Sequence, residues 1–273
     1  MKKFLPLVAV LLVSGCVQFA GIVQSSVVVS STSNPDFGLK VEYYPSEVKP
    51  GKKLILGFQV SAAKDLENFK ISITDPCVFE SDKELIAGPV SIWKGSVKTF
   101  RFRLTAGDVD FDTDCKIRFR IEYESDLYAT TDLIVLSDVE YAERSRTGTL
   151  AELSPDTYSL PSPVEVGFSF SDDQPFVNGD TVYLNVNYRN TGPGFPEFKE
   201  LFITFPESAE ARCSDWKDGK VNPLPTFLKN RAEPTSCQLT LKSEGPISSG
   251  KIVVKGSYKY SMYDYINVKV VAK

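Results

Sequence analysis

The residues best able to do chemistry in this chain of 273 residues are five cysteines and a short run of aspartates. Cys16 stands alone behind an apolar leader, Cys77 and Cys115 fall in the first half, and Cys213 and Cys237 fall in the second. Outside the cytoplasm thiols persist as disulfides, and four cysteines allow three pairings. Pairing by halves, Cys77 with Cys115 and Cys213 with Cys237, closes two loops of moderate length, each worth about 3 to 4 kcal/mol in chain entropy. Metal binding by these thiols needs CxxC-like spacing or histidine partners. Neither is present, since the chain contains no histidine. That absence also removes the commonest general base, which weighs against an enzyme. Asp75, Glu80 and Asp82 are carboxylates of the kind glycoside hydrolysis pairs, but nothing singles them out. There is no Gly-x-Ser-x-Gly elbow, phosphate loop or zinc signature.

The aspartates are Asp108, Asp110, Asp112 and Asp114, alternating just before Cys115. Hard carboxylate oxygens at such spacing can wrap a calcium ion, which takes several oxygens at about 2.3 to 2.6 Å. The EF-hand pattern fails, because Thr113 replaces the sixth-position glycine and no glutamate stands at the twelfth. If the segment is extended, all four share one face and form a solvated acidic edge. Calcium is therefore the one cofactor to set against none. The segment Ser214 to Ser236, closed at its base by Cys213 and Cys237, is the other candidate, because loops on a rigid scaffold carry binding. Its Trp216 and Phe227 either face a ligand or fold back as the private core of a pinned insertion.

The leader decides where these groups act. Lys2 and Lys3, the apolar run Phe4 to Val13 and the small pair Ser14-Gly15 read as a signal peptide over residues 1–15, too short to span a bilayer stably. The following Leu12-Val13-Ser14-Gly15-Cys16 resembles the lipobox of prokaryotic lipoproteins. That resemblance implies a diacylated Cys16 at the mature N-terminus, with each buried methylene worth about 0.8 kcal/mol. The alternative is an ordinary secretory peptide, or a short membrane anchor, with an incidental cysteine. Residues 16–36, rich in serine and nearly uncharged, read as a tether reaching roughly 60 Å at about 3.3 Å per residue. Its Val27 to Val29 patch can instead pair as an extra strand with its own or another subunit. Losing Lys2 and Lys3 takes the net charge from −4 to −6. With no basic stripe, nucleic acid is excluded as a partner.

Beyond residue 36 short alternating or β-branched runs, punctuated by Gly, Pro, Asp and Asn, predict strands. They fall at Leu39 to Tyr44, Lys53 to Ser61, Phe69 to Thr74, Val97 to Leu104, Cys115 to Glu124 and Ala129 to Leu136. A second series covers Val164 to Ser171, Thr181 to Arg189, Glu200 to Phe205, Cys237 to Lys242, Lys251 to Tyr260 and Tyr263 to Val271. Lys116-Ile117-Arg118-Phe119, Tyr123 and Tyr128 lie over Lys251-Ile252-Val253-Val254, Tyr258 and Tyr263 at a constant offset, with the tyrosines read as core and hairpin residues. Six strands twice over predict an all-β chain of two tandem immunoglobulin-like β-sandwiches. The first covers residues 37–137 and the second 163–273. The linker 138–162 leaves some freedom of orientation.

Pro163-Val164-Glu165-Val166, Pro175, Asn178-Gly179-Asp180 and Tyr188-Arg189-Asn190-Thr191-Gly192 resemble the CARDB-type immunoglobulin-like domains of archaeal surface proteins. The first unit carries a similar opening at Tyr44-Pro45-Ser46-Glu47-Val48-Lys49-Pro50-Gly51-Lys52, without the Asn-x-Gly after its second strand. The resemblance implies a cell-surface role in adhesion or assembly and no catalytic residues. Two function classes follow. One is a non-catalytic, membrane-anchored, extracytoplasmic lipoprotein whose sandwich loops contact a surface protein or glycan. The other is a structural subunit that self-associates through strand edges or the Val-rich segment.

Overall fold

The computed structural model describes residues 27–272, so the leader, Cys16 and the first part of the tether lie outside the described residues. The chain is all-β, with one α-helix among the described residues. In order come β1 (Val27–Asn34), β2 (Phe37–Tyr44), β3 (Glu47–Val48), β4 (Lys53–Ala62), β5 (Leu66–Asp75), β6 (Phe79–Glu80), β7 (Ile86–Ile92), β8 (Val97–Ala106) and β9 (Thr113–Leu136). Helix α1 (Asp138–Thr147), a 3-10 turn at Leu150–Glu152 and β10 (Thr157–Ser159) follow. The second series is β11 (Val164–Phe170), β12 (Phe176–Val177), β13 (Thr181–Asn190), β14 (Phe195–Thr204), β15 (Ala209–Cys213), β16 (Trp216–Lys217), β17 (Lys220–Val221), β18 (Phe227–Leu228), β19 (Arg231–Ala232), β20 (Thr235–Leu241) and β21 (Ile247–Val270).

Alternation builds these strands. In β4, Leu54, Leu56, Phe58 and Val60 are fully buried while the residues between them face outward, as a half-buried antiparallel strand requires. The same pattern in β13 buries Val182, Leu184, Val186 and Tyr188. β7 escaped the sequence reading because Gly88-Pro89 interrupts it. Proline is confined to strand edges, and β7 is the edge beyond β5.

The two series fold alike. β2, β4 and β8 are neighbours in one sheet, and β11, β13 and β20 repeat that order in another. A third sheet runs β16-β17-β14-β21-β9-β5-β7, with β10 and β12 added to β9 and β3 added to β21. Its centre is the pair β9 and β21, antiparallel in unbroken register from Thr113 opposite Val270 to Leu136 opposite Ile247.

This ribbon corrects the sequence reading of both units. The stretches Cys115 to Glu124 and Ala129 to Leu136 are one strand without a hairpin, as are Lys251 to Tyr260 and Tyr263 to Val271. The residues between them, Ser125 to Tyr128 and Ser261 to Met262, hold no Gly, Pro or Asn-Gly to turn the chain. The first half of β9 pairs with β5, but its last residues, Val135 and Leu136, take β12 of the second series as a parallel partner. In return, β21 pairs with β14 along its first half and ends beside β3 of the first series, Val270 opposite Val48. Each unit therefore lends the second half of its last strand to the other. Strand pairing thus crosses the sequence boundaries 37–137 and 163–273.

The outer segments are also fixed. Residues 27–34, part of the predicted tether, form β1 against β2, the extra-strand alternative. The predicted linker lies along β9: Ser137 caps α1 by accepting a hydrogen bond from the Glu140 amide, Gly148 ends the helix at φ 73, and β10 pairs with residues 129–131.

Buried polar groups lock the middle of the ribbon. Asp36, fully buried, accepts hydrogen bonds from the Tyr123 hydroxyl at 3.0 Å and the Tyr258 hydroxyl at 2.6 Å, and pairs with Lys64 at 3.0 Å. Tyr260, directly opposite Tyr123, donates to Asn190 and accepts from the Gly194 amide. A Cβ on Gly194 would lie 2.4 Å from the Ser261 carbonyl, so this close approach needs glycine.

Candidate interaction site

The four inner cysteines are paired by halves, Cys77 with Cys115 and Cys213 with Cys237. Cys213 and Cys237 face each other directly across β15 and β20, so the insertion between them leaves and returns to the sheet at one point.

Two small hairpins order that insertion. The first turns through Asp218 and Gly219, both at positive φ, the conformation a tight hairpin demands. It adds β17 to the edge of β14. Trp216 seals it: its ring meets Phe205 edge-on at 5.7 Å, and its Nε1 donates to the Ile203 carbonyl at 3.0 Å. The second hairpin, β18 and β19, is held by Phe227 packing on Phe198 at 5.3 Å. Trp216 and Phe227 therefore anchor the insertion and are not displayed on its loops. A half-buried aromatic against an open sheet edge contributes more by covering it than by facing water.

What the anchored hairpin does display is Arg231, set directly opposite Arg189 of β13. Glu165 of β11 lies opposite Arg189 on the other side. The row Glu165, Arg189, Arg231 crosses three strands on the outward face of the sheet, and all three side chains are exposed. It lines a groove of about 690 Å³ walled by Leu160, Pro161 and Ala232. The hydroxyls around the groove are already engaged: Ser162 bonds Tyr258, and Thr191 donates to the Pro163 carbonyl. Among the described residues neither arginine has an acidic partner within ion-pair distance.

On the outer face of the ribbon Glu122 receives Lys70 at 2.7 Å, Arg120 at 2.9 Å and Lys259 at 2.9 Å, with its own side chain only 6% exposed. Burial pushes the Glu122 carboxyl up, but hydrogen bonds from Lys70 and Lys259 and the nearby charge of Arg120 outweigh it and hold the group at about 2. Further along this face Lys116 sits 4.2 Å over the Tyr265 ring, and Tyr263 meets Phe195 at 6.3 Å. Of the tyrosines read as core and hairpin residues, Tyr123 and Tyr258 are core, Tyr128 is half-buried and Tyr263 is exposed on this face.

The aspartate run does not converge. Asp112 accepts a hydrogen bond from the Ala272 amide at 3.0 Å and lies 3.7 Å from Lys269, while Asp114 has entered β9 opposite Lys269. Among the described residues no group of three or more His, Cys, Asp or Glu side chains is placed to hold a metal ion.

Arg189 was visible in the sequence only as part of the Tyr188-Arg189-Asn190 strand ending. Arg231 carried no signal at all, because only the hairpin register places it beside Arg189.

No family model matches the chain, and no curated protein matches it. Among solved structures, the C-terminal globular domain of an oligosaccharyltransferase from Pyrococcus abyssi is similar at 13% identity and a TM-score of 0.23, over 84% of this chain and 46% of that one. A Salmonella alpha-2-macroglobulin mutant is similar at 11% identity and a TM-score of 0.20, over 88% of this chain and 16% of that one. Escherichia coli alpha-2-macroglobulin activated by porcine elastase is similar at 11% identity and a TM-score of 0.18, over 88% and 22%. The chain thus spans less than half the length of each, and likenesses this shallow carry nothing about its activity.

Proposed function

We propose that the chain is a non-catalytic extracytoplasmic lipoprotein, anchored through Cys16, whose tandem CARDB-like units act as an adhesion or interaction module at the cell surface. The observation that carries this reading is the insertion between Cys213 and Cys237. It is closed by a disulfide, nailed down by Trp216 and Phe227, and used to set Arg231 beside Arg189 over a groove. Ordering a long insertion costs conformational entropy, and a rigid loop that presents unpaired cations is built for recognition. Two disulfides fit an oxidising compartment. Among the described residues no helix is long and apolar enough to cross a membrane.

The test of placement is the intact mass of the membrane-extracted protein before and after reduction. Loss of residues 1–15, lipid mass on Cys16 and four added protons on reduction support it. An unmodified Cys16 or free inner thiols would overturn it.

One observation favours the second reading, a self-assembling envelope or filament subunit. β1 is the outer strand of its sheet, and an open edge can template pairing with another copy. Sedimentation over a wide concentration range separates the two: a monomer throughout supports the interaction module, and rings or fibres support the subunit.

A further inference from the structure

We propose that the groove across β11, β13 and β19 binds an acidic saccharide, whose carboxylate or sulfate group sits between the guanidinium groups of Arg189 and Arg231. The assignment rests on the interaction-module reading for the choice of site and adds the chemical class of its ligand.

Three features point the same way. Like charges directly opposite in a sheet destabilise it, yet the β18–β19 hairpin is docked so that Arg231 falls on Arg189. A bound anion removes that repulsion. Guanidinium groups are planar forks whose several N–H donors match a carboxylate or sulfate bidentately, and here the register sets two arginines directly opposite each other with no acid within ion-pair distance among the described residues. The protein as a whole is acidic, so this cationic spot is local and not part of a general basic surface.

Shape selects a saccharide. The groove, about 690 Å³, is of the size that holds a small ligand, and Leu160, Pro161 and Ala232 offer apolar wall to the C–H faces of a sugar ring. Its floor crosses the strands, and β11 is bonded to β13 from Val164 to Phe170. An extended peptide binds by adding a strand to an open edge, here the outer edge of β11, and so would run along the strands, at right angles to the row Glu165, Arg189, Arg231. Glu165 limits the site: opposite Arg189, it leaves the Arg231 end the more attractive for an anion.

The experiment is titration calorimetry on the full chain in detergent, with trigalacturonate, a sulfated disaccharide, a neutral trisaccharide and hexaglutamate as probes. The acidic sugars bind with an affinity that falls as salt rises, and the neutral sugar does not bind. The stronger of the two acidic sugars tells carboxylate from sulfate. Arg231→Gln and Arg189→Gln each weaken binding at least about tenfold, as loss of a charge-assisted pair does. Arg231→Lys, which keeps the charge and loses the fork, falls between. Glu165→Gln tightens binding. Unchanged thermal unfolding of the variants shows that the site, not the fold, was altered. No preference for acidic over neutral sugar, indifference to both Arg→Gln variants, or tighter binding of hexaglutamate than of either acidic sugar overturns the assignment. Lipidated protein that ignores acidic sugars refutes this ligand alone. Protein that binds them with an unmodified Cys16 refutes the anchor alone.

Discussion

The Asp36 carboxylate and the Tyr258 hydroxyl meet at 2.6 Å across 222 residues of sequence, and this contact ties the corner between β1 and β2 to the middle of β21. Lys64 and Tyr123 complete the cluster. Tyr258→Phe removes one donor from a buried carboxylate and is expected to cost about 1.5 to 3 kcal/mol, read as a shift in denaturant midpoint. Burial first, then the charge of Asp36, raises the Tyr258 ionisation far above the usual tyrosine range. A raised phenol contributes stability that is complete below the unfolded value near 10 and is lost as pH climbs beyond it. Phenolate absorbance in the folded protein should accordingly leave Tyr258 silent at pH 10. A Tyr258→Phe protein with an unchanged midpoint would remove the contact from the stability argument.

Glu122 gives the opposite pH dependence. Its carboxyl lies below the ordinary 4.5, at about 2, so its contribution is complete above pH 4.5 and fades as pH falls toward 2. Glu122→Gln leaves Lys70, Arg120 and Lys259 facing one another without their anion. The expected loss is about 2 kcal/mol at pH 7, vanishing near pH 2. Urea unfolding of both proteins across that range checks it, and an equal loss at both ends would contradict the ion-pair account.

Removing the second disulfide tests what holds the insertion. Cys213 and Cys237 lie 24 residues apart, and opening a loop of that length costs about 3 kcal/mol. The double variant Cys213→Ala, Cys237→Ala should unfold earlier and expose residues 214–236 to protease. Trp216 fluorescence should shift toward that of a solvated indole. Resistance to protease equal to the parent would show that Trp216 and Phe227 suffice.

Strand exchange makes the sharpest prediction about folding. Residues 262–270 belong by sequence to the second unit but finish the ribbon beside β3 and the first half of β9. A chain ending at residue 261 should therefore lose amide protection in β3 and β9 of the first unit, as well as in the second. Protection confined to its parent level across residues 37–124 would refute the exchange.

Much of this was legible from residue pattern. Alternation marked the principal strands, because one face of each packs on a core and the other meets water. The constant offset between Lys116 to Phe119 and Lys251 to Val254 marked the repeat, and β9 and β21 are indeed equivalent by topology. The cysteine pairing by halves was one of three the sequence allowed, favoured by loop length and observed in the structure. β7 was hidden by Gly88-Pro89, and the insertion was recognised with two directions open for its aromatic side chains, of which the structure shows the fold-back one.

The sequence by itself determined an all-β chain of two similar units, because period-two patterning and turn residues act locally. Tertiary structure alone decided that the last strand of each unit runs on into the other. A missing turn at Ser125 to Tyr128 says only that the chain continues, while the partner it continues toward is set by long-range register. The same register placed Arg231 on Arg189. Cross-strand neighbours 42 residues apart are chosen by how the sheet pairs, and no local pattern in either segment encodes that choice.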